Sequence, residues 1–128
     1  MASWRSKIAR RVRHPWIFTL MLLALVVFCV MLWLPTQYLL VDGSNDKQHH
    51  ISFFLGLTWL CWYSLRYHPA WQACMLVLFA VLSELSQHWV PHRHSSWEDL
   101  QANLLGIALG YLLILLVRLM QKLMGKRK

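Results

Sequence analysis

Charge-free blocks set the plan of this chain. Pro15–Val41 runs for 27 residues without a charged side chain, and Leu100–Val117 runs for 18. Between them lie two shorter clean blocks, Ile51–Leu65 and Pro69–Ser83, of 15 residues each. The apolar residues come in long runs rather than one-sided stripes. A helix rising ~1.5 Å per residue needs about 20 residues to cross a hydrocarbon core of ~30 Å. The first and last blocks therefore span unaided, and the middle two span if their polar flanks enter the interface. The pattern predicts an all-α integral membrane bundle of four transmembrane helices in one domain, 1–128, with spans at about 16–34, 49–66, 70–89 and 99–118. Pro15 and Pro69 suit first-turn positions, and Pro35 and Pro91 fall where the first and third helices should end.

Composition agrees. The chain is 58% hydrophobic and 14% charged, with eight Trp, and its mean hydropathy is +0.41. An ordinary soluble domain is excluded. The basic start, RSKIARRVRH, resembles a signal peptide, but the apolar run after it is too long and lacks a small-x-small cleavage site. It reads as a retained first span. No repeat, low-complexity tract or linker is visible.

Charge orients the bundle. Four spans put both termini and the Arg66–Pro69 turn on one side. That side then holds Arg5, Lys7, Arg10, Arg11, Arg13, Arg66, Arg118, Lys122, Lys126, Arg127 and Lys128, leaving only Lys47 and Arg93 of the 13 Lys and Arg opposite. Basic residues mark the cytoplasmic side, so both termini, with their basic tails, are expected in the cytoplasm. The net charge of +8 is then an anchor for anionic lipid. Nucleic acid is not expected as a partner, because these charges flank spans. Trp33, Tyr38, Trp89 and Trp97 are expected at the outer interface and Trp16, Trp62, Tyr63, Tyr67 and Trp71 at the inner one.

Against this background, Ser83–Gly110 concentrates polar groups at a shallow outer depth: Glu84, Gln87, Arg93, Glu98, Asp99 and Asn103. Lys47 and His50 reach the same depth from the second span. Helical spacing places Glu84, Gln87 and His88 on one side of the third span, and Asp99, Asn103, Gly106 and Gly110 on one stripe of the fourth. Gly106 and Gly110 form a G-x-x-x-G that permits close helix packing. The stripe is expected to face inward. Two accounts stand at this point: an internal brace, with Glu84 paired to Arg93 and Asp99 to Lys47, or an outer functional pocket.

These residues carry a resemblance. DKQHH at 46–50, ELSQ at 84–87, Arg93 and EDLQANLLGIALG at 98–110 resemble the VanZ-like family of small bacterial membrane proteins. Its pattern runs D-K-x-x-H, E-x-x-Q, Arg, then D-x-x-x-N-x-x-G-x-x-x-G, and Asp46, Lys47, His50, Glu84, Gln87, Arg93, Asp99, Asn103, Gly106 and Gly110 stand in register with it. One departure is His92, where the family often has Gly before the Arg. The resemblance implies a bacterial inner-membrane location and a link to low-level glycopeptide resistance of the teicoplanin type.

Three functions follow for the pocket. In the first, Lys47, His50, Gln87, Arg93 and Asn103 bind an anionic headgroup, of a membrane lipid or a lipid-linked cell-wall precursor, with Arg93 as a bidentate fork. In the second, an enzyme acts on such a lipid, with His50 as general acid or base, Glu84 as its partner and Asp99 beside them. No nucleophile motif supports a covalent step. In the third, Glu84 couples protons in a small transporter, although such sites favour the midplane. No cofactor is expected, and no metal: Pro91 separates His88 from His92, and the outer histidines read as interfacial. Cys29, Cys61 and Cys74 fall within spans and are not expected to bridge.

Overall fold

The computed structural model describes residues 9–35, 38, 46–91 and 95–125. Every named element is a helix: α1 Pro15–Trp33, α2 Asp46–Ser64, α3 Pro69–Gln87 and α4 Trp97–Gly125. Their ends follow local chemistry. Pro15 and Pro69 occupy first-turn positions, where a missing N–H costs nothing. The His68 side chain accepts from Ala70 N–H, and Ser96 Oγ accepts from Glu98 N–H, so each caps the helix that follows it. α1 stops at Trp33 and α3 at Gln87, short of Pro35 and Pro91.

Three helices, α1, α3 and α4, are long and apolar enough to cross a membrane. α2 does not qualify. Its opening turns, DKQHH, and its Ser, Thr and Gly residues dilute an apolar run of only 15 residues. α4 continues past Val117 as a helix to Gly125, carrying Arg118 and Lys122 beyond the apolar block.

Burial is inverted relative to a soluble protein. The interior holds His50, Thr58, Ser64, Gln72, Ser83, Glu84, Gln87 and Asn103, while Leu23, Val26, Val30, Leu82 and Leu115 are among many large apolar side chains left on the outside. A water-facing surface this apolar would aggregate; in lipid it is the stable arrangement. α1 shows this best, since only Met21 and Leu32 are buried along it.

The closest pairing is α2 with α4, and two glycines set it. A Cβ built on Gly106 would lie 2.5 Å from the Ile51 carbonyl oxygen, and one on Gly110 would lie 2.8 Å from Thr58 Cβ. Only hydrogen fits at either place. Below that contact, Phe28, Phe53, Phe54 and Phe79 form an aromatic layer, with Phe28 and Phe53 stacked at 4.0 Å. At the opposite end of α2 the chain entering α1 docks on the turn into α3. Arg13 N–H donates to Ser64 O at 2.7 Å and Arg66 N–H to Arg11 O at 2.8 Å. The segment before α1 and the α2–α3 turn therefore share one end of the bundle, the basic end. The other end, where α2 and α4 begin and α3 finishes, is the acid end.

Candidate functional site

At the acid end three helices each contribute one buried polar side chain to a single chain of hydrogen bonds. α3 supplies Glu84, 5% exposed; α4 supplies Asn103, fully buried; α2 supplies His50, 6% exposed. Asn103 Nδ2–H donates to Glu84 Oε1 at 3.2 Å, and Asn103 Oδ1 lies 2.7 Å from His50 Nδ1. The amide stands between carboxylate and imidazole and touches both.

The directions of these bonds follow from chemistry. A carboxylate only accepts, so Asn103 must present its NH2 to Glu84 and its carbonyl oxygen to His50. That oxygen only accepts, so His50 Nδ1 must carry the hydrogen. His50 Nε2 then points the other way, toward Asp46 Oδ1 at 3.7 Å. Asp46 and His50 are four residues apart on α2, and Asp99 and Asn103 are four apart on α4. Each helix thus stacks an acid one turn above its buried member. Beneath the imidazole the Phe28 ring meets it edge-on, with centroids 6.4 Å apart. The relay has an apolar floor and a polar mouth.

Other expected residues fall around this chain. Gln87, 3% exposed, lies one turn beyond Glu84 with its Nε2 unpartnered among the described residues, as is Glu84 Oε2. Lys47 is exposed and pairs with Glu98, itself exposed, rather than with Asp99. The difference is one of helix rotation: Glu98 precedes the inward stripe and faces out, while Asp99 is half-buried on it. Arg93, its neighbours His92 and His94, and the proposed Glu84–Arg93 pair lie outside the described residues. His49 and His88 are exposed.

The family model described as VanZ/LLP1 matches residues 9–118. The chain belongs to the VanZ/LLP1 family. No curated protein and no solved structure matches it. With its apolar exterior, this VanZ/LLP1 chain is a membrane-embedded protein with three candidate spans.

Two features of this family member escaped sequence reasoning. Asp46 stands in the D-K-x-x-H motif but had no role; the fold brings one ligand atom each from Asp46, His50 and Asp99 to within 4.8 Å of one another. Its i, i+4 spacing to His50 was the available signal. The second is a cavity of about 620 Å³ at the basic end, lined by Arg11, Leu65, Tyr67, Trp71, Gln72 and Met75 among others. Arg11 lies over the Tyr67 ring at 5.1 Å, and Gln72 Nε2 donates to Tyr67 O at 3.0 Å. No local pattern marks this cavity, because its walls come from three separate segments.

Chemically, the acid-end site presents an oriented imidazole nitrogen beside two carboxylates, on a buried support. That arrangement can hold a proton, a cation or a ligand that supplies positive charge, and it can exchange protons with a bound group.

Proposed function

We propose that this VanZ/LLP1 protein crosses the bacterial inner membrane four times, with both termini cytoplasmic. Its acid end then opens on the outer leaflet and binds the headgroup of an anionic envelope lipid or lipid-linked cell-wall precursor, as in teicoplanin-type glycopeptide resistance. The observation that carries this reading is the buried Glu84–Asn103–His50 relay. Burying three polar side chains among apolar helices is costly, and a brace between two helices needs only one pair. α2 completes the bundle as the fourth span, its polar opening turns lying in the outer interface, where its low hydropathy is no obstacle. Arg93 supplies the bidentate grip on phosphate, with Lys47 as a point charge shared with Glu98. Altering such a lipid, or masking it, changes what a glycopeptide meets at the surface.

A second reading makes the site an enzyme acting on the same lipid, and the fixed orientation of His50 favours it. A ring nitrogen aimed at an open mouth and held by a hydrogen bond on its other side is how general bases are positioned. Native mass spectrometry of the protein extracted with its lipids tests both. Retention of one anionic lipid by the natural chain, and its loss in Glu84→Gln and in Arg93→Gln while both variants stay folded, is the expected result. Conversion of the retained lipid would select the enzyme. Recovery of binding in the double variant would leave only a structural ion pair and refute the pocket.

A further inference from the structure

We propose that Asp46, His50 and Asp99 form a binding site for one divalent cation of the manganese or zinc class. Two of the three residues have a simpler explanation. Asp46 and Asp99 lie in the first turns of α2 and α4, where an acid is favoured by the helix dipole alone. His50 has none. It is buried, and Asn103 makes Nδ1 the protonated nitrogen, which leaves the Nε2 lone pair facing Asp46 and the Asp99 carboxylate. At 3.7 Å from Asp46 Oδ1, Nε2 makes no hydrogen bond among the described residues. A lone pair beside two carboxylates is repulsive unless a positive charge stands between them.

The support behind His50 is the kind that metal-ligating histidines have. Their second ring N–H is held by a carbonyl or carboxylate, which fixes the tautomer and the ring plane. Here a carbonyl, that of Asn103, does so, and Glu84 holds the amide in turn. The ligand atoms lie within 4.8 Å of one another. An ion bound at about 2.1 Å from each would draw them closer, and the Asp46 side chain, 52% exposed, has room to swing. One imidazole nitrogen with two carboxylate oxygens suits Mn²⁺ or Zn²⁺ better than Ca²⁺, which takes oxygen alone, or Cu⁺, which takes sulfur. Three protein ligands leave positions open at the mouth, where a phosphate oxygen can bind. The cation would then reconcile an acid-lined opening with an anionic headgroup.

The full-length chain, purified in detergent without a histidine tag and stripped with chelator, is titrated with Mn²⁺ and followed by electron paramagnetic resonance. One ion per chain is expected, with ¹⁴N modulation in the pulsed spectrum from a bound imidazole. Asp46→Asn and Asp99→Asn should each weaken binding by about tenfold or more. Asn103→Ala, which removes only the support, should weaken it by roughly 10–100-fold. Far-UV circular dichroism confirms that each variant keeps its helices, and Asp46→Asn, exposed at a helix start, is the variant least prone to unfold. Failure to take up one equivalent of Mn²⁺ or of Zn²⁺ overturns the site. So does uptake that Asp46→Asn and Asp99→Asn together leave unchanged, which would place the ion on other histidines. A chain that retains its lipid but takes up neither ion refutes the cation site and leaves the lipid reading standing.

Discussion

Replacing Asn103 by Leu removes the centre of the buried relay while keeping close to the volume of the side chain. Two hydrogen bonds are lost, one of them to a carboxylate, and two partners are stranded: Glu84 Oε1 and His50 Nδ1. Both sit on side chains that are 5% and 6% exposed, so water does not replace Asn103. A buried donor or acceptor left unpaired costs about 1–3 kcal/mol, whereas interhelical hydrogen bonds in membrane proteins average about 0.6 kcal/mol in double-mutant cycles. Taken together, these give an expected loss of about 2–4 kcal/mol. The assay is equilibrium unfolding in mixed detergent micelles, followed by far-UV circular dichroism. Leu105→Ala, an exposed position two residues along the same helix, serves as the control and should change stability by under about 0.5 kcal/mol. Glu84→Met combined with Asn103→Leu should cost less than the two singles added, because the stranded carboxylate is then gone. A loss below about 0.5 kcal/mol for Asn103→Leu, or strict additivity in the double variant, would show that the three side chains do not act as one relay.

The glycine contact gives a second test: Gly106→Ala and Gly110→Ala should each destabilise by about 1–3 kcal/mol through overpacking, Gly106→Ala more firmly because its Cβ meets the Ile51 backbone oxygen at 2.5 Å. If melting is unchanged in both while lipid retention is lost, the stripe lines the pocket instead of holding α2 against α4. Topology is tested by cysteine labelling in a background lacking Cys29, Cys61 and Cys74. Ser95→Cys should react with a membrane-impermeant reagent in intact cells and Ser6→Cys only after permeabilisation; the reverse pattern would invert the proposed orientation.

The residues legible in sequence are those whose placement depends on one helix at a time. Pro15 and Pro69 open helices because a ring without N–H loses nothing there. Spacing of four put Asp99, Asn103, Gly106 and Gly110 on one stripe, and the stripe meets α2 at Gly106 and Gly110. The long charge-free blocks gave the three candidate spans, since transfer into hydrocarbon scales with composition and length alone. Helix ends were set by local chemistry too, which is why α4 runs on through Arg118 and Lys122 to Gly125 with no proline or αL glycine before it.

What crosses between helices needed the tertiary structure. Periodicity fixes which residues share a face, but it is silent on how far one helix is rotated and slid against the next. That rotation gave Lys47 to Glu98 and kept Asp99 for the mouth of the site, a difference of one residue that reverses which acid looks outward. The same geometry put Asn103 between His50 and Glu84, residues 53 and 19 positions away in the chain. It also brought Asp46 to His50 and Asp99, and it enclosed the cavity at Arg11 and Gln72. By itself the sequence determined a membrane chain with its polar groups gathered at one depth, because hydropathy and helical period are properties of a single segment. Packing decided which of those groups touch, because contact depends on the fit of one helix surface into another.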